Sequence, residues 1–245
     1  MIPYIYHPLL FQIGSIKVYT WGFIVAIGFL ISYWVLSKLG SDSHAENLFF
    51  LSLIFGLIGS RVLYILGHLG EFFSFWDYFF VWKGGLDWSG GLFLGIFVSY
   101  IYIKTHDLEF LKYADKLIIP LVVGFLIGRF ACLIGDGGHV GKETSFFLGA
   151  MVNGVTRHYT ALYSILFLSL LLFVLYKLNN KQYFDGFLFS FYLISYGVFR
   201  FFMDYLRIDP VYLGLTFAQY FAILSVLLGF GFFVYGFVYG DLKYL

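Results

Sequence analysis

Apolar residues in this chain come in stretches of about twenty, parted by short polar clusters, and that is the length of a helix crossing a bilayer. Seven stretches stand out: residues 19–38, 47–68, 88–104, 117–135, 161–178, 186–205 and 213–239. The third is short and begins in GGLFLG, so its start is the least defined. No linker, low-complexity segment or internal repeat interrupts the series. The pattern predicts an all-α polytopic membrane protein of about seven helices, built as a single integral membrane domain over residues 1–245.

Three polar positions break the pattern: Arg61, Arg129 and Arg200 each lie inside an apolar stretch. An arginine at the centre of a membrane helix costs about 2.5–3.5 kcal/mol on insertion scales, so three of them call for anionic partners. They fall on the second, fourth and sixth stretches, which run in the same direction. Each lies roughly 13–15 residues from its helix start, beyond the midplane at 1.5 Å per residue. The spacing predicts one layer of cations toward the side that carries the amino terminus. The loops on that side hold WKGGLDWSGG (82–91), GDGGHVGKE (135–143) and TRHYTALY (156–163), rich in glycine, histidine and carboxylate.

Composition agrees with a membrane domain: 61% of residues are hydrophobic and 12% charged, against about 25% charged in soluble domains. A net charge of +1 argues against nucleic acid as a partner. One cysteine, Cys132, excludes an internal disulfide and reads as core packing. The opening MIPYIYHPLLFQIG lacks the basic region of a signal peptide and is expected to be retained. Loop charges favour an outside amino terminus and a cytoplasmic carboxyl terminus. Lys38, Lys104, Lys112, Lys116, Lys177, Lys181 and Lys243 would lie inside, against Lys17, Lys83, Lys142, Arg157 and Arg207 outside.

Tyr196, Arg200, Asp204 and Arg207 recur at spacings of four, four and three, so they share one helical face and Arg200 can pair with Asp204. That stripe either locks the helix to its neighbours or builds a site. Arg129 has no acid three or four residues away; the first that follows is Asp136. Arg61 also lacks a local acid and is open to pairing with Asp204 or Asp136 across helices. A guanidinium binds phosphate with paired hydrogen bonds, and phospholipid head groups supply phosphate at this depth. The turn GDGGHVG, with Asp136, Gly137 and His139, can add backbone N–H groups. The expected ligand is phosphatidylglycerol or another anionic phospholipid.

The ordered set HPLLFQIG…WGF, GSR, GGLDWSGGLFLG, GRFACLIGDGGHVG, RHYTALY, GFLFSFYLISYGVFRFFMDYLR and GLTFAQ resembles the prolipoprotein diacylglyceryl transferase family. The likeness runs from about residue 7 to 229, and GR with YG-x-FR-x-x-x-(D/E)-x-x-R is its most specific part. It implies a seven-helix enzyme of the bacterial cytoplasmic (inner) membrane. Such an enzyme moves diacylglyceryl from phosphatidylglycerol to the lipobox cysteine of a preprolipoprotein, whose signal peptide would be the protein partner. Carried over, Arg129 matches the essential arginine of the signature segment, Arg200 the arginine after YG-x-F, and Arg61 that of the second helix.

Departures fall among the proton-handling positions. Ser89 stands where the family has histidine, and Trp21 where it has tyrosine. The segment H-P-x-Q-L-Y-E reads His158, Tyr159, Thr160, Ala161, Leu162, Tyr163, Ser164. The attacking thiol belongs to the acceptor, so the enzyme needs arginines for the leaving phosphate and a base for the thiol proton. His158, which keeps the family's position, is the first candidate base and His139 the second. Ser89 can donate a hydrogen bond to lipid. His7 reads as a cap or interfacial anchor, and His44, His68 and His106 sit in or beside loops without supporting residues. No cluster has metal-ligand spacing, and no cofactor is expected. An intramembrane serine protease lacks its Ser–His pair here, and a transporter its repeats. The remaining alternative is a catalytically altered or silent paralogue that binds anionic phospholipid or lipoprotein.

Overall fold

The computed structural model describes residues 2–4, 6–14, 16–71, 78, 85–135, 140–181 and 183–240. Among these residues seven α-helices appear: α1 (Thr20–Lys38), α2 (Ser43–Gly67), α3 (Trp88–Thr105), α4 (Phe110–Gly135), α5 (Thr160–Asn179), α6 (Phe187–Asp204) and α7 (Phe217–Gly240). Each covers one of the seven apolar stretches. Six are long and apolar enough to cross a membrane; α3, at 18 residues, is the remaining one. The protein is a polytopic helical membrane protein. Its surface is inverted as lipid requires, with Leu30 71% and Phe93 61% exposed.

The chain divides into two compact units, residues 36–117 and residues 1–35 with 118–245. In the first, α2 and α3 pack closely along a small-residue seam. A Cβ added to Gly59 would strike the Gly90 carbonyl, and one on Gly90 would strike that of Gly59. One level away, the hydroxyls of Ser52 and Ser99 lie 2.8 Å apart. Contact between helices in lipid relies on such close packing, because exclusion from water no longer drives it. The helix α2 begins at Asp42, whose carboxylate accepts the Ala45 N–H at 2.8 Å and pairs with Lys116 at 2.6 Å. That pair explains why α4 starts at Phe110, earlier than the apolar stretch at 117 suggests: its polar first turns have a partner.

The second unit holds α5, α6, α7 and the adjoining parts of α1 and α4. Helices α6 and α7 pack through Gly197, which leaves no room for a Cβ beside the Ala222 carbonyl, and Gly229, which lies against Leu193 and Ile194. Short strands fill the connections, which hydrophobic periodicity alone did not reveal. Strands β1 (Ile2–Pro3), β4 (Val140–Glu143), β5 (Ala150–Val152) and β6 (Val155–Tyr159) form a sheet in the order β1-β5-β6-β4. Asn153 and Gly154, both at positive φ (51° and 81°), make the two-residue turn joining β5 to β6, the backbone that matches strand twist. A hairpin of β2 (Leu9–Ile13) and β3 (Ile16–Tyr19) precedes α1. Another, of β7 (Val211–Tyr212) and β8 (Leu215–Thr216), precedes α7 and moves its start from 213 to 217.

Candidate active site

In the second unit α4 and α6 meet through a stacked pair, Phe125 and Tyr196, with ring centroids 6.0 Å apart. One turn further along each helix stand Arg129 and Arg200, within Coulombic range of each other. Arg200 reaches Asp204 one turn on, at 3.0 Å, as the i,i+4 spacing predicts. Arg207 approaches the same carboxylate at 3.7 Å and pairs with Asp209 at 2.6 Å. The Asp204 side chain has no solvent exposure, and its second oxygen accepts the Thr216 hydroxyl. Tyr196 stacks on Tyr192 at 5.5 Å, and Arg129 lies in Coulombic range of that buried ring.

Arg129 is half-buried, and among the described residues no hydrogen bond or ion pair reaches its guanidinium. Among the described residues, Arg129, Arg200 and Arg207 against Asp204 and Asp209 leave one positive charge over, three minus two. Like charges held together in low dielectric favour an anion between them. Arg200 is anchored; Arg129 offers its donors unpaired.

The sheet delivers His158 to the same end of α6. The Lys142 N–H donates to the Leu206 carbonyl at 2.8 Å, pinning β4 there. Gly141 is caught between that carbonyl and the His158 side chain, and no Cβ fits. The His158 Nδ1 lies 3.3 Å from the Tyr163 hydroxyl. Burial holds the imidazole below the ordinary histidine pKa, so it is a neutral base at neutral pH. His7, exposed, uses its backbone N–H to cap the Ile134 carbonyl of α4 at 2.7 Å.

Two residues read from the sequence as ligand groups lie in the unit of residues 36–117 and already have protein partners. Arg61 is buried, donating from Nε to the Tyr78 carbonyl at 3.0 Å and from Nη1 to the Gly85 carbonyl at 2.9 Å. Its charge also lies over the Tyr64 ring at 5.9 Å. Ser89 donates its hydroxyl to Asp87 at 2.5 Å, and the same oxygen caps α3 through the Ser89 N–H at 2.8 Å. Asp136, Gly137 and His139 lie outside the described residues. Among the described residues no three metal-ligating side chains gather.

Two residues had no role assigned from the sequence. Thr216 and Gln219 form a reciprocal cap at the start of α7: the Thr216 N–H donates to Gln219 Oε1 at 3.0 Å, and the Gln219 N–H to Thr216 Oγ1 at 3.2 Å. The signal was available, since T-x-x-Q before an apolar run is a capping box. What it could not disclose is that the threonine hydroxyl turns to Asp204.

Fold and site define a polytopic helical membrane protein with a cation layer at one end of α4 and α6 and a histidine beside it. The chain matches the family described as prolipoprotein diacylglyceryl transferase over residues 8–235, and it belongs to that family. It is similar to the phosphatidylglycerol–prolipoprotein diacylglyceryl transferase 1 of Clostridium perfringens, 31% identical over 242 residues, covering 91% of this chain and 92% of that one. The Clostridium botulinum (strain Langeland) phosphatidylglycerol–prolipoprotein diacylglyceryl transferase is 27% identical over 260 residues, covering 97% and 100%. The protein of the same name from Finegoldia magna is 31% identical over 219 residues, covering 83% and 85%.

Proposed function

We propose that this protein transfers diacylglyceryl from phosphatidylglycerol to the lipobox cysteine of a preprolipoprotein, in the cytoplasmic membrane of a bacterium, with its amino terminus outside. The observation that carries the reading is the pair formed by Arg129, which has no partner among the described residues, and Asp204-anchored Arg200, in a chain of this family. The acceptor's sulfur attacks the glyceryl carbon that bears the phosphate. An S–C bond forms, the C–O bond to phosphate breaks, and its electron pair leaves on glycerol phosphate. Arg129 takes that phosphate with two parallel N–H donors, while Arg200 and Arg207 stabilise the charge as it grows. The thiol proton passes to His158, whose neutral ring is held by Tyr163.

The other face of α6 suits the lipid tails. An apolar cavity of about 460 Å³ lies against it, lined by Phe167, Ser195, Val198, Phe199, Phe202, Met203 and Leu206. One helix thus carries cations on one side and an apolar groove on the next, matching a phospholipid's head and chains. Arg61 and Ser89 support the α2–α3 connection in this reading.

The test is incubation of purified protein with phosphatidylglycerol vesicles and a lipobox peptide, scored by mass. A peptide heavier by one diacylglyceryl group is expected. Retained lipid with no adduct, across several acceptor peptides, would overturn the enzymatic reading in favour of a silent lipid-binding paralogue.

A further inference from the structure

Asp204 has two carboxylate oxygens and three neighbours. One oxygen faces Arg200 at 3.0 Å and Arg207 at 3.7 Å; the other faces the Thr216 hydroxyl. A buried carboxylate free to swing its plane about the Cβ–Cγ bond would displace the oxygen that both guanidiniums face. Thr216 prevents that, and its own geometry is fixed in turn. Its oxygen accepts the Gln219 N–H at 3.2 Å, which directs the O–H outward to the carboxylate. Thr216 and Gln219 are both buried.

Gln219 makes a second connection. The carboxyl end of α6 tightens, so the Tyr205 N–H turns to Phe202 and Met203 rather than to Phe201. The carbonyl of Phe201 is left without its helical donor, and Gln219 Nε2 supplies one at 3.3 Å. The first turn of α7 is therefore fastened to the last turn of α6 twice, at Phe201 and at Asp204.

We infer that Thr216 and Gln219 are positioning residues of the transfer reaction: the cap of α7 clamps Asp204 so that Arg200 and Arg207 face the phosphate in one fixed arrangement. The inference rests on the transferase reading above. A helix cap alone would serve only stability. A cap whose hydroxyl donates to the carboxylate that aims two cations also sets the geometry of charge stabilisation, where a displacement of about 1 Å can cost about 10²-fold in rate.

The test uses the full-length protein with phosphatidylglycerol vesicles and a lipobox peptide, in Thr216→Val, Thr216→Ser, Gln219→Glu and Asp204→Asn, and in Thr216→Val combined with Asp204→Asn. Thr216→Val should lower kcat by about tenfold or more through misaligned donors. Thr216→Ser, which keeps both cap and donor, should stay within about threefold of the native rate. Gln219→Glu keeps the acceptor for Thr216 but loses the bond to Phe201, so it should fall between the two. Since Thr216 acts through Asp204, the double variant should lose no more than Asp204→Asn alone. Thr216→Val with native turnover would overturn the inference. So would Val and Ser falling together in step with melting temperature, or losses that multiply in the double variant. If the native protein forms no adduct, the transferase reading fails instead, and retained phosphatidylglycerol becomes the measure of positioning. Thr216→Val should then hold less lipid than Thr216→Ser, and equal retention would overturn the inference.

Discussion

Asp204 lies 3.0 Å from Arg200 with its side chain wholly shielded from solvent, and it is the point on which the cation layer turns. Replacing it leaves Arg200 without its counter-ion, Arg207 with Asp209 alone, and the Thr216 hydroxyl without its acceptor. Removing one partner of a buried ion pair costs about 3–5 kcal/mol. Asp204→Ala should therefore lower the melting temperature in detergent clearly, and Asp204→Asn less, since the amide oxygen still accepts. Unchanged melting in both would mean that Asp204 carries little of the structure.

Arg129 differs from Arg200 in having no partner of its own among the described residues, so its replacement should affect ligand more than fold. Arg129→Ala should reduce copurifying anionic phospholipid and abolish the adduct. Arg129→Lys should also abolish it, because lysine keeps the charge without the two-point geometry. Lys142→Ala, which alters an exposed side chain, should retain lipid as the native protein does. Equal loss in Arg129→Ala and Lys142→Ala would remove the phosphate from the site.

His158 gives a pH test with a definite sign. Only its neutral form accepts a proton, and burial lowers its pKa from the ordinary 6.5. The rate should be flat through neutral pH and fall on acidification only below that value. His158→Ala should slow transfer by about 10²–10⁴-fold, remove this acid limb, and leave lipid retention unchanged. An acid limb surviving in His158→Ala would move the base elsewhere.

Much of this was readable before any coordinates. Seven runs of about twenty apolar residues imply seven helices because lipid demands internally bonded backbone. The Arg200–Asp204 pair was legible because helical neighbours four apart share a face. Arg61 was not legible: its acceptors are carbonyls of Tyr78 and Gly85, 17 and 24 residues on, and only the folded connection brings them back. The partner of Ser89 was not assigned from the sequence: its hydroxyl donates to Asp87 two residues earlier. The turn Asn153–Gly154 is a strong hairpin signal, but the strands it joins are only three and five residues long and went unread beside the long hydrophobic runs. The apolar window opening at 213 likewise hid Thr216 as the cap of α7.

Orientation supplies the last prediction, and it decides which side the cation layer serves. With an outside amino terminus, the short connections before α2, before α4 and before α6 all face the cytoplasm. In a protein whose Cys132 is replaced by alanine, single cysteines at 40–42, 106–109 and 180–184 should react with an impermeant thiol reagent only after the membrane is opened. Cysteines at 144–148 and 153–157, between α4 and α5, should react in intact cells. Helix parity decides it: α4 and α6 must run in one direction for Arg129 and Arg200 to reach the same leaflet. Mixed labelling within either set would break that parity and the shared cation layer with it. Consistent but reversed labelling would keep the layer and move it to the cytoplasmic leaflet, away from an exported acceptor's emerging cysteine.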